Sequence, residues 1–385
     1  MTTKGVMPNE ERLYKTIRFE KVDKILSGPS IMQFAATYAG ITQKDFIDDP
    51  AKADAAYDKT FTELGGWDIG RPMMTRPAGG GPPGFAMETA RPGRELATSS
   101  VVQFVEHEVM TPEDYDYLID NGLNALNRRL AERLNPPGPP PGPKLSDEER
   151  EQAEAREAAR IKAETGKWQA RGVVSLMSGL GHIPAFDVFS IHRSLPKFFM
   201  DVRRMPDKIK AATKACMPDM IANAKQAVEA SGIKRVGTAA SRSSNTFISA
   251  KQFEEFVLPG WLEFVWAMAD AGNDIVFHCD CDWTRFLPYF KEFPTKRCVL
   301  QLDGVTDIFK AKQVLDQHMA LHGDVPAPLL TLGTPDQVFD YCKKLIEVIG
   351  EGGGFILSSG CSTPHDSKIE NVRAMVRAGN ELTWR

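Results

Sequence analysis

From residue 172 to the C-terminus, short apolar runs alternate with stretches of helical period. The runs are "GVVSLMSG", "RVGTAAS", "DIVFHCD", "CVLQLDG", "ALHGDV" and "GGFILSSG". Between most of them lie amphipathic stretches such as "SAKQFEEFVLPGWLEFVWAMADAG" and "TPDQVFDYCKKLIEVIG". This alternation implies parallel β-α-β units, because parallel neighbours need a long crossover, usually a helix. Six runs point to an α/β fold of the (β/α)8 TIM barrel type. The missing early strands are expected near 65–110 and 185–192. A doubly wound open sheet is the alternative, although no G-x-G-x-x-G follows any strand, which weakens its dinucleotide-binding version.

The first half is less regular. Residues 1–60 read as helical, because apolar positions in "ERLYKTIRFEKVDKI" recur near the helical period. "RPMMTRPAGGGPPGF" at 71–85 is a Gly/Pro-rich loop, and "SSVVQFVEHEVM" at 99–110 reads as a strand. "NPPGPPPGPKL" at 135–145 is a stiff, extended segment that leads into a strongly charged helix opened by Ser146 and Glu149 as a capping box. The expected organisation is a single barrel domain over 1–385, with a helical extension at 1–65 and an insertion at 135–170.

Composition narrows the function. A net charge of -4 argues against nucleic acid, whose phosphates need clustered lysine and arginine. No apolar run approaches the roughly 20 residues that span a bilayer. The polar start "MTTKGVMPNEERLYKT" lacks the apolar core of a signal peptide, so a cytoplasmic location is expected. Six irregularly spaced cysteines do not form a disulfide framework.

In a barrel, chemistry sits at the carboxyl ends of the strands. Those ends here carry Ser241-Arg242-Ser243, His278-Cys279-Asp280-Cys281, Asp303-Gly304, Asp324 and Ser358-Ser359-Gly360-Cys361. Zinc takes imidazole nitrogen, thiolate and carboxylate oxygen. Strand alternation puts His278 and Asp280 on one face, and Cys361 would join them from another strand. Cys281 could replace or join Asp280 if the strand has ended there. The bland alternative is buried thiols beside a hydrogen-bonded histidine, and a C-x-C redox pair is weaker still. Asp303 is a candidate for orienting a ligand or moving a proton, against a turn-capping role. Arg242 is a candidate for holding an anionic substrate group, against a surface ion pair. Asp316 and His318 in "DQHMALHG" partly fit the corrinoid pattern D-x-H-x-x-G, but the sixth place is Leu321, so the stretch reads as structural.

"GGFILSSGCSTPHDSKIENVRAMV", "ALHGDVPAPLL" and "SSNTFISAKQFEEFVLPGWLEF" together resemble the superfamily of uroporphyrinogen decarboxylase and the corrinoid-dependent methyltransferases. The resemblance is best over 230–385. The decarboxylases carry an arginine-rich W-x-M-R-Q-A-G-R stretch, absent here, and L-x-H-G where this chain places Ser359 at the histidine position. The methyltransferases bind zinc through H-x-C on one strand and Gly-Cys on the last. His278 and Cys361 match that pattern, with Asp280 in place of the middle cysteine. The resemblance therefore implies a zinc-dependent methyltransferase with His278, Asp280 and Cys361 as ligands and Cys281 in reserve. A carboxylate leaves the zinc a stronger Lewis acid than a second thiolate would, which suits a methyl ether. The implied partners are a separate corrinoid (cobalamin) protein and a small methyl donor or acceptor, with a homodimer left open. The segments 71–98 and 136–170 are candidate docking rims. The rival readings are transfer to a thiol or folate, tetrapyrrole decarboxylation, and a binding protein without catalysis.

Overall fold

The computed structural model describes residues 7–70, 88–134 and 147–383. Eight parallel strand positions form a ring: β1 (Leu26–Ser27), β2 (Ile69–Gly70), β3 in two pieces (Val174–Ser175 and Leu180–His182), β4 (Arg235–Ala240), β5 (Asp274–Cys279), β6 (Cys298–Leu302), β7 (Ala320–Val325) and β8 (Phe355–Ser359). The order β1-β8-β7-β6-β5-β4-β3 is one continuous parallel sheet, and β2 pairs with the first piece of β3. Closure comes from backbone bonds: Asp68 N–H donates to Ser27 O (2.8 Å), and Ser178 N–H donates to Arg235 O (2.7 Å). The sheet is thus the closed barrel that the alternation implies, and it leaves no edge to protect.

Three expectations about the early part of the chain need correction. The span 1–60 is not all helix: Leu26–Ser27 is a barrel strand, hydrogen-bonded to β8 at Leu26↔Ile356. It is only two residues long, too short for any periodicity to register. Within the expected extension at 1–65, Leu26–Ser27 thus belongs to the barrel wall, while Asn9–Ile17 and Pro50–Leu64 are helices. At 185–192, where a strand was expected, the chain forms the helix Ala185–His192. Seven of its eight residues are buried, and a helix buried all round has no polar face to betray its period. The expected strand at 99–110 exists only as Gln103–Val105, paired antiparallel with Glu88–Ala90 outside the barrel. The loop 71–85 and the proline-rich 135–145 lie outside the described residues. The charged stretch after the latter is the helix Asp147–Gln169.

The inside of the barrel is layered by register. A lower apolar layer includes Val276, Val299, Ala320, Ile356, Leu26 and Leu176. One step toward the carboxyl ends, Ala239, His278, Gln301 and His322 are neighbours across successive strands. Strand alternation carries the inward series from Val276 to His278 and from Val299 to Gln301. The polar residues of these strands therefore converge at one end.

The other end is closed. Helix α1 (Asn9–Ile17) places Leu13 and Ile17 in the same apolar cluster as the lower layer. Ion pairs fix it to the amino ends of the strands: Arg18 to Asp274 at 3.0 Å and Glu10 to Arg235 at 2.5 Å. Outer helices begin where local chemistry dictates. Ser249 with Gln252 and Thr334 with Gln337 form capping boxes, and Pro335 sits at the first turn of its helix. Among the described residues no helix is long and apolar enough to cross a membrane.

Candidate metal centre

The stretch Phe277–Trp283 alternates before it turns. Phe277 points to the outer core, with its ring 5.3 Å from that of Trp261 and 4.8 Å from that of Phe293. His278 faces inward. Cys279 is buried on the outer side, where burial raises its thiol well above the ordinary range. The strand then ends. Cys281 has a left-handed φ of 71°, its N–H donates to Asp303 Oδ2 (2.7 Å), and its carbonyl accepts from Thr306 Oγ1 (3.0 Å). Trp283 returns to the core fully buried and donates its indole N–H to Asp280 O (2.7 Å). The turn that carries Asp280 is thereby pinned on both sides.

His278, Asp280 and Cys361 each offer one ligand atom, and these atoms lie within 4.8 Å of one another. Nε2 of His278 is 3.3 Å from Asp280 Oδ1 and 3.9 Å from Cys361 Sγ. Donors held 2.0–2.3 Å from one ion at tetrahedral angles lie roughly 3.3–3.7 Å apart. The 3.3 Å pair matches that spacing, the 3.9 Å pair is slightly wider and no separation exceeds 4.8 Å, so the three atoms would have to draw together to close on one ion. Nδ1 of His278 lies 2.9 Å from Gln301 Oε1. A carbonyl oxygen there accepts a hydrogen bond from Nδ1–H and leaves the Nε2 lone pair facing the other two donors, as metal-binding histidines require. Cys281 is not a member of this group. Burial, then Asp303 and Asp280, push its thiol up.

The other sequence candidates are held differently. Asp303 is raised by burial, and both its oxygens accept backbone N–H groups, from Cys281 and from Val305. That is the turn-capping geometry, so it positions the strand end. The guanidinium of Arg242 pairs with Glu106 and donates to Ser190 O at 2.9 Å. His318 is structural, with its ring nitrogens against Thr295 Oγ1 and Phe290 O.

Gln301 was missed, although one signal was present: a lone amide in the buried run "CVLQL". Asp187 was also missed. It sits fully buried at the start of the helix Ala185–His192, and its Oδ1 accepts the N–H groups of Ser241 (2.8 Å) and Arg242 (2.7 Å). It shapes the loop after β4 across a gap of more than fifty residues that no local pattern reveals.

Cys361 is placed by a tight crossing. Gly360 donates its N–H to Val325 O (3.0 Å), and Ser359 Oγ donates to Cys361 O (2.8 Å). A Cβ on Gly360 would lie 2.4 Å from Asp303 O, and that neighbour is backbone. Gly360→Ala is expected to cost about 1–3 kcal/mol in urea unfolding and to weaken metal retention, because the β6 and β8 tips must separate.

The uroporphyrinogen decarboxylase (URO-D) family profile matches residues 186–382, just over half of the sequence. The chain belongs to this family. Two curated relatives match shorter stretches. A methylated-thiol–coenzyme M methyltransferase of Methanosarcina mazei is 28% identical over 140 residues, 36% of this chain and 35% of the relative. A uroporphyrinogen decarboxylase of Methylococcus capsulatus is 30% identical over 123 residues, 32% of this chain and 27% of the relative. The chain thus aligns with only about a third of each curated relative's length. A solved methyltransferase from Methanosarcina mazei superposes with a TM-score of 0.62 at 17% identity, covering 98% of this chain and 99% of that one. That likeness establishes the shared fold.

Proposed function

We propose that this URO-D family member is a zinc-dependent methyltransferase that moves a methyl group between a small substrate and a corrinoid carried by a separate protein. The carrying observation is the donor set of His278, Asp280 and Cys361, drawn from two strand ends at the open end of the barrel. When bound there, zinc would supply Lewis acidity to a heteroatom of the substrate, and the corrinoid would be the methyl carrier. The chain's own part is positional. Gln301 fixes the imidazole tautomer, the Asp303 turn holds Asp280 in place, and Gly360 brings Cys361 within reach. With a carboxylate as the middle donor, the first choice of substrate is a methyl ether, and the reaction O-demethylation.

The similarity to a methylated-thiol–coenzyme M methyltransferase favours a second reading, in which the methylated atom is sulfur. Metal analysis and a spectral assay test both readings. Purified protein is expected to hold about one zinc per chain, and His278→Ala less than about 0.2. Incubated with a reduced corrinoid protein, methoxybenzene is expected to generate the methylcobalamin spectrum. Methylation from dimethyl sulfide alone would replace the ether reading with the sulfur one. A metal-free wild-type protein would overturn both.

A further inference from the structure

Cys361 stands two positions past the end of β8, with Gly360 between. A glycine leaves the backbone beside it free to swing unless other groups hold it. The Cys361 sulfur also belongs to the wider of the two measured pairs, 3.9 Å from His278 Nε2 against 3.3 Å for Asp280 Oδ1. Where this loop is held therefore decides how near the thiolate comes to the other donors.

Three hydrogen bonds hold it. Gly360 N–H donates to Val325 O (3.0 Å), Thr363 N–H donates to Ser30 O (2.7 Å), and between them Ser359 Oγ donates to Cys361 O (2.8 Å). The first and second join backbone to backbone. The third is made by a side chain, and it grips the ligand residue itself. Ser359 is 1% exposed, and its Oγ also accepts the Ser30 N–H (3.1 Å) from the loop after β1. With one bond accepted and one donated, the hydroxyl is held in a single orientation.

We infer that Ser359 is the positioning residue for the thiol ligand: its hydroxyl, fixed by the loop after β1, sets the backbone of Cys361 and so the reach of its sulfur toward His278 and Asp280. The inference rests on the proposed metal role of those three donors. Ser359→Ala would leave a carbonyl at the ligand without its donor, and outer partners of this kind control metal affinity by about 10–100-fold. Ser358 supplies the contrast. It is equally buried, but its hydroxyl donates to Gly28 O (2.7 Å), on the β1 side rather than on the ligand loop.

Cobalt(II) added to the metal-free full-length protein tests this without any methyl donor or corrinoid. Cobalt held by a thiolate absorbs through sulfur-to-metal charge transfer, and that band reports the bond to Cys361 itself. Ser359→Ala is expected to bind cobalt at least about tenfold more weakly than wild type and to lose most of the band. Ser358→Ala loses a buried hydrogen bond of the same kind. It is expected to keep the band and to match wild-type affinity within about twofold, whatever its cost in urea unfolding. Wild-type affinity and band in Ser359→Ala, or an equal loss in Ser358→Ala, would overturn the inference and leave the donor set standing. A wild type that shows no such band would remove Cys361 from the donor set, and the inference with it.

Discussion

Cys361→Ala is expected to lose bound zinc and to lower methyl transfer by at least about a thousandfold, while the far-UV spectrum and unfolding midpoint change little. The thiolate is one of the three proposed ligands, and removing it would leave an imidazole and a carboxylate that bind a divalent ion far more weakly. The side chain is partly exposed at a loop, so its loss creates no core cavity. Gln301→Leu supplies the graded companion. It keeps the shape of the strand but removes the acceptor that orients His278, and metal affinity measured by chelator competition should fall about 10–100-fold. Full zinc occupancy in Cys361→Ala would remove this site from consideration.

Asp324→Asn is expected to stabilise the protein, and more so as the pH rises. Asp324 is 2% exposed, at the end of β7, and its Oδ1 accepts the Tyr341 hydroxyl at 2.9 Å. Burial pushes its carboxyl up from 3.8 to about 7, with Asp307 and Asp303 adding to the rise and the Tyr341 bond opposing it. Between those two values the folded chain keeps a proton that the unfolded chain has released. Stability therefore falls as pH rises through this window and levels off above pH 7. Asparagine keeps the acceptor and cannot ionise. Its advantage in urea unfolding should grow by about 2 kcal/mol from pH 5 to pH 7 and stay constant to pH 8. An advantage independent of pH would show that the carboxyl ionises at its ordinary value.

The second half of the barrel was legible because its strands are long and fully buried. "DIVFHC" and "ALHGDV" are buried along their whole length, and their polar residues His278 and Asp324 lie toward the open end. The first strand was not legible, since its two residues acquire strand geometry only from pairing with β8. "AFDVFSIH" misled for the opposite reason: packed on all sides, its composition suits a strand as well as a helix. At the centre, the alternation rule brought His278 and Asp280 together. The separation of Cys281 from them depends on a left-handed residue, stabilised by an aspartate 22 positions away. Gln301 and Asp187 act through contacts between distant strands and helices, which a single sequence records only as polar residues in apolar surroundings.

Because α1 stoppers the amino end with Leu13 and Ile17 and ties itself to the strand starts through Arg18 and Glu10, the barrel is a blind well. Among the described residues, the carboxyl end of the strands is then the side left for entry and exit. A macromolecule seated over that opening would trap the small ligand beneath it and bar its exchange. The kinetic signature would be compulsory order, with the small ligand binding first and excess partner slowing turnover by covering the empty well.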